Sequence, residues 1–225
     1  MSGRDAILGR LKRRLEREGD LESARADEVA RRLDDAPAGI IPARGQLPGG
    51  ERIALFQRMA EAVQASVEHV AAMADVPKAI AHQLSQRNLP AAVRIGADAA
   101  LAAMPWEASA PLEVRHGPSD GNDLAAVSHA LAGIAETGTL VLASGTDNPT
   151  TLNFLPDLHI VVVEAGDIDG DMEAVLARIR RKFGKGTMPR ALNMVAGPSR
   201  SADIEQTLIL GAHGPRALHV VIVGG

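Results

Sequence analysis

Three stretches of this chain are aliphatic almost without interruption: LVLA at 140–143, IVVV at 160–163 and VVIV at 220–223. A strand with one wet face alternates apolar and polar residues, so runs like these are stable only with both faces covered. They call for a mostly parallel sheet sandwiched between helices, and the rest of the pattern agrees. Strands are expected at 91–96, 112–116, 124–128, 139–144, 159–164, 191–196 and 217–223. Helices are expected near 76–88, 98–104, 149–154, 171–183 and 202–210. Another starts near 51, with Phe56, Met59, Ala60, Val63 and Val67 at helical spacing. The expected fold is an α/β three-layer sandwich with a mostly parallel sheet and an N-terminal helical arm. With 225 residues, 46% of them hydrophobic, the chain suits one large domain.

The first 35 residues differ in character. Ile7, Leu8, Leu11 and Leu15 follow helical spacing, but charges are dense, with nine basic and nine acidic side chains over 1–35. This reads as a solvated helical arm divided near Gly19 and Asp20. Residues 36–50 hold Pro37, Pro42 and Pro48 with Gly39, Gly45, Gly49 and Gly50, a linker in which Ile40 and Ile41 are expected to pack down. The α/β domain is expected to occupy 51–225.

Composition excludes several classes of function. Cysteine is absent, which removes disulfides, thiolate zinc sites and cysteine-ligated iron–sulfur clusters from this chain. A net charge of −4 with one Trp, three Phe and no Tyr speaks against nucleic-acid binding. The N-terminus has no apolar core of a signal peptide, and no run has the length of a membrane span, so a cytoplasmic protein is expected. No HExxH, GxSxG, Walker or GxGxxG pattern occurs; no metal and no cofactor are expected.

Three polar loops carry the candidate chemistry, and ligands in such folds usually sit beyond the carboxyl ends of strands. The first runs from Ser128 through Glu136, Thr137, Gly138 and Thr139 to Ser144, Gly145 and Thr146. Its small hydroxyl and glycine residues can offer backbone N–H groups to an anion, or form a capped turn with Asn148 as N-cap and Pro149 as first helical residue. Glu136 suits a nucleophile or general base, and equally a turn-stabilising carboxylate. In the second loop, Gly197, Ser199 and Arg200 precede Asp203, which with Gln206 matches a capping box; the Arg200 guanidinium can hold a carboxylate or phosphate in bidentate fashion. The third loop sets His213 between Gly211 and Gly214, with Gly211 suited to a helix C-cap and His213 to proton transfer near neutral pH.

The runs GIAETGTLVLAS (133–144), LPDLHIVVV (155–163), GPSRSADIE (197–205) and LGAHGPRALHVVIV (210–223) together resemble the LUD domain, and more closely the lactate-utilisation protein C family. The resemblance is strong over 124–223. It implies a fold similar to that of phosphosugar isomerases and CoA-transferases. It also implies a non-redox role in oxidation of L-lactate to pyruvate beside iron–sulfur partner proteins, with a small anionic metabolite as ligand. Carried over by motif, the site residues are Glu136, Thr137, Gly138, Thr139, Gly197, Ser199, Arg200, Asp203, Gly211, His213 and Gly214, with Ser128 at a position that is usually a small hydroxyl residue. Two alternatives stay open. One is a stand-alone enzyme acting on CoA thioesters or sugar phosphates through Glu136. The other is an assembly protein that uses its charged arm and keeps a vestigial pocket.

Overall fold

The computed structural model describes residues 3–17, 19–109, 112–202 and 208–225. Two compact units are resolved, Met1–Ile40 and Ile41–Gly225. The first is built from helices α1 (Gly3–Arg17) and α2 (Gly19–Asp35). On α1 the apolar stripe Ile7, Leu8, Leu11 and Leu15 stays at least half exposed. Ion pairs one turn apart brace α2: Glu28 accepts from Arg31 at 2.9 Å and from Arg32 at 2.7 Å.

The second unit contains α3 (Gly49–Ala62), β1 (Ser66–Val70), α4 (Val76–Gln86), β2 (Ala92–Ile95), α5 (Ala99–Ala102), β3 (Glu113–His116) and β4 (Ala125–His129). It continues with β5 (Ala132–Ile134), β6 (Thr139–Ala143), α6 (Thr150–Phe154), β7 (Leu158–Glu164), β8 (Ile168–Asp169) and α7 (Met172–Phe183). The chain closes with β9 (Leu192–Val195), β10 (Arg200–Ala202), β11 (Leu208–Leu210) and β12 (Ala217–Val223). A six-stranded sheet in the order β1-β12-β7-β4-β2-β3 forms the centre, and every pairing in it is parallel. The two apolar runs at 160–163 and 220–223 occupy its middle strands, as their lack of alternation requires. One face, with Ile160, Val162, Val221 and Ile95, buries Ile80 and Leu84 of α4 and Leu101 of α5. The other, with Val161, Val163, Val220 and Ile222, packs on Phe56 and Ala60 of α3 and on Leu140 and Leu142.

Those last two residues belong to a second sheet, in the order β8-β5-β6-β9, which is antiparallel except for β5 with β8. The sequence pattern leads to strands at 139–144 and 191–196 and suggests that the run at 140–143 belongs to the parallel sheet; both strands lie instead in this second sheet. The run at 140–143 is doubly buried for a different reason: Leu140 and Leu142 face the central sheet while Val141 faces Val175 and Ile179 of α7. The mixed α/β architecture with a mainly parallel central sheet and helices on both sides thus gains an inserted layer.

Local expectations fail in four places. The helical stripe does not continue to Val67, because α3 stops at Ala62, Gln64 takes φ +71 and Val67 enters β1. The described ends of the helix expected at 202–210 are strand: Ala202 belongs to β10 and Leu208–Leu210 to β11, paired antiparallel, which suits that aliphatic run, and 203–207 lie outside the described residues. Helix α6 begins one residue late, with Pro149 before its first turn and the Asn148 amide turned to the Ala143 carbonyl at 3.4 Å. Ile40 and Ile41 are 96% and 47% exposed. Among the described residues no helix is long and apolar enough to cross a membrane.

Candidate functional site

The second and third loops meet. The Ser199 amide donates to the Pro215 carbonyl at 2.9 Å, and the Gly211 amide donates to the Ser199 carbonyl at 3.0 Å. Gly214 lies so close that a β-carbon there would stand 3.2 Å from Ser199 Cβ. With the hairpin in place of a helix, Gly211 is no C-cap. It follows β11 at φ +79 and hands the chain back across Ser199. Together these loops enclose a cavity of about 270 Å³ against the amino ends of β7 and β12, where His159 and Leu218 are the second residues of their strands. This is the opposite end of those strands from the one expected. Arg200 and His213 line the cavity and are exposed, whereas Asn153 of α6 and His159 are 1% and 0% exposed. Gly197, Ser199 and Gly214 complete the candidates that line it. Asp203, with Glu205 and Gln206, lies outside the described residues.

Ser128 stands behind the wall. Its Oγ donates to Asn153 Oδ1 at 3.1 Å and lies 3.0 Å from His159 Nε2. Burial alone pushes the His159 imidazole down to about 3, so it is neutral at physiological pH. His159 Nδ1 and Asn153 Nδ2 are buried without a hydrogen-bond partner. Neither residue ranked among the sequence candidates. The signal was a polar side chain inside an otherwise aliphatic strand, LHIVVV, where a buried imidazole costs free energy unless something answers it.

The rest of the first loop goes elsewhere. Glu136 is 5% exposed, and its Oε1 accepts from the Met172 amide at 3.1 Å, at the first turn of α7. The carboxylate there caps the helix and faces the positive end of its dipole. Its Oε2 is buried without a partner. Thr137 and Thr139 share a hydroxyl hydrogen bond of 2.8 Å. Gly138 and Gly197 serve as docking points for the end of α3. A β-carbon at Gly138 would stand 2.3 Å from the Ala60 nitrogen, and one at Gly197 would stand 2.3 Å from the Val63 carbonyl oxygen. Ser144 pins the end of β6 to the approach to β9: its Oγ accepts from the Ala191 amide at 2.8 Å. With Gly145, Thr150 and Arg190 it borders a separate hollow, while the Thr146 carbonyl accepts from Ala97 at 3.0 Å. The three loops therefore do not form one site. Ser128 joins the second and third; Glu136–Thr139 and Ser144–Thr146 do not.

Two other polar positions are accounted for. Arg216 pairs with Asp157 at 3.5 Å on the surface. At the carboxyl end of β4, His129 Nδ1 lies 3.3 Å from Asp98 Oδ2, and this hydrogen bond raises the imidazole above its ordinary value despite its burial.

Residues 122–223 match the LUD domain family. All the cavity residues named above fall inside that match. The chain is 40% identical over 91 residues to lactate utilization protein C of Geobacillus sp. (strain WCH70), which covers 40% of this chain and 38% of that protein. It is 34% identical over 90 residues to lactate utilization protein C of Shouchella clausii, covering 40% and 39%. The matched stretch thus spans about two fifths of the length of these curated relatives. A crystal structure of a DUF162 family protein from Deinococcus radiodurans superposes with a TM-score of 0.55 at 27% identity, over 79% of this chain and 99% of that one. The stretch similar to LUD domains thus sits within a fold that extends well beyond the matched residues.

Proposed function

We propose that this chain is a non-redox component of L-lactate oxidation to pyruvate, acting with iron–sulfur partner proteins, and that its LUD domain binds a small anionic metabolite in the cavity between the second and third loops. The observation that carries the binding part is the cavity itself: Arg200 and His213 at the mouth, and two buried, unpartnered polar atoms on Asn153 and His159 within. A guanidinium beside a neutral, desolvated polar floor suits a small anion that also brings a polar group. The pathway rests on the names of the relatives. The chain has no cysteine to hold an iron–sulfur cluster, and in this reading the partner proteins carry the electrons.

Two experiments test the two parts. Deletion of the gene in its host is expected to abolish growth on L-lactate while leaving growth on pyruvate; unchanged growth on L-lactate overturns the pathway. A thermal-shift titration with L-lactate, pyruvate and phosphate is expected to raise the melting temperature by mass action. The shift should vanish in Arg200→Ala and His213→Ala; no shift with any anion overturns the binding.

A second reading, assembly through the arm, is favoured by the exposed apolar stripe of α1. It expects deletion of 1–35 to abolish capture of the iron–sulfur partners while Arg200→Ala leaves it intact. Capture that survives the deletion refutes it.

A further inference from the structure

The cavity floor of His159 and Asn153 is tied from behind by Ser128 into a three-membered hydrogen-bond chain, His159 Nε2 to Ser128 Oγ at 3.0 Å and Ser128 Oγ to Asn153 Oδ1 at 3.1 Å. A serine hydroxyl in the middle of such a chain passes one proton along it, so the two ends have opposite character. In the polarity observed, Ser128 donates to Asn153 and accepts from His159 Nε2–H. The unpartnered His159 Nδ1 is then an acceptor and the unpartnered Asn153 Nδ2 a donor. Reversing the chain, with the amide turned and the other tautomer on His159, exchanges the roles: Nδ1–H donates and Asn153 Oδ1 accepts. In both cases the floor offers one buried donor and one buried acceptor. Both side chains are at least 99% buried and both line the cavity.

A single ligand atom that answers both is a hydroxyl oxygen. A keto oxygen only accepts and leaves the acceptor of the floor unmet; a methylene or methyl answers neither. Resting on the reading that this cavity holds a small anion, we propose that it recognises a hydroxyl-bearing anion. The hydroxyl is seated between His159 and Asn153, the anionic group lies toward Arg200, and Ser128 acts as the positioning residue that sets opposite polarity at the two ends. The cavity would thereby distinguish a hydroxy acid from the keto acid that differs from it by two hydrogens.

The test is calorimetric titration of the full chain at neutral pH with three matched carboxylates, L-lactate, pyruvate and propionate, and with glycerol 3-phosphate beside n-propyl phosphate, which lacks its carbon-borne hydroxyls. A buried polar group left unmet in the complex weakens binding roughly ten- to hundredfold. L-Lactate is therefore expected to bind at least tenfold more tightly than pyruvate or propionate. Preference for glycerol 3-phosphate over L-lactate would identify the anionic group as a phosphate, with the hydroxyl rule intact. Ser128→Ala is expected to collapse the ratio of hydroxy- to keto-acid affinity, a change that a general loss of packing would not produce because it lowers both together. Equal affinity of wild-type protein for L-lactate, pyruvate and propionate, and for glycerol 3-phosphate and n-propyl phosphate, overturns the hydroxyl inference and leaves the anion site standing. No binding of any of the five overturns both. The wild-type comparison needs no variant to fold.

Discussion

Gly138→Ala tests whether the Thr-Gly-Thr turn is shaped by packing against α3 or is an open anion cradle. Gly138 has φ +64, and a β-carbon there would lie 2.3 Å from the Ala60 nitrogen, 2.5 Å from the Met59 carbonyl carbon and 2.8 Å from the Ala60 α-carbon. All three are backbone atoms of α3, so no side chain can rotate away. The left-handed conformation costs alanine about 1–2 kcal/mol, and forcing a methyl into a filled space costs about 1–3 kcal/mol more. The sum is about 2–5 kcal/mol. Gly186→Ala is the control: φ is +72 there but nothing lies within 4 Å of the added carbon, so only the conformational part, about 1–2 kcal/mol, applies. Urea unfolding followed by circular dichroism gives both values from the midpoint and slope. At roughly 2–4 °C per kcal/mol for a domain of this size, the two variants should also separate in melting temperature. Equal losses in the two variants would refute the argument, because the contact with α3 would then contribute nothing.

Two further outcomes follow from polar groups away from the turn. Glu136→Gln keeps an acceptor for the Met172 amide but removes the charge at the start of α7, so it should cost about 0.3–1 kcal/mol while leaving the thermal shift by cavity ligands unchanged; loss of that shift would bring Glu136 into the site. Stability should fall as the medium is acidified below pH 6.5, because unfolded His159 and His219 bind protons that the folded protein refuses down to about 3 and about 4. The slope is about 1.4 kcal/mol per pH unit for each histidine. His129 acts above that range: Asp98 raises it, so its contribution is full below pH 6.5 and is lost as pH rises through the raised value. Urea unfolding at pH 7.5, 6 and 5 checks the profile, and His159→Gln should remove about half of its acid slope, leaving the part due to His219; a wild-type profile already flat would refute the burial argument.

How far the fold was legible depended on the physical signal in each segment. The aliphatic runs at 160–163 and 220–223 placed β7 and β12 because double burial leaves a mark in composition. The same mark misplaced β6, since a strand between α7 and the central sheet is as dry as a central parallel strand. Composition registers coverage, not the direction of the neighbouring strand. The run 208–210 was misread for a related reason: its apolar residues fit either period, and the antiparallel pairing of Arg200 with Leu210 decided it. In the site, Arg200, His213 and the glycines around them were visible because small residues beside charged ones mark loops. Asn153 and His159 were not, because each looks ordinary within its own element and gains meaning only when Ser128, 25 and 31 residues away, joins them. Glu136 carried a carboxylate signal that capping explains as well as catalysis does, and only the distance to Met172 shows which end of the domain it serves.

The pairing of β12 has a practical side. It lies between β7 and β1, and β4 lies between β7 and β2, yet both β1 and β2 precede residue 122. A fragment trimmed to the LUD domain boundaries would keep every residue of the cavity and lose both flanking strands. It would present the bare ladder of Ala217–Val223 on one side and of Ala125–His129 on the other, with the apolar side chains of both strands uncovered where α4 had been. Unpaired apolar edges template pairing with other chains. Such a fragment would be recovered as aggregate, and an insoluble preparation would say nothing about the ligand. Hybrids that exchange this domain between relatives should carry their own first strands with them.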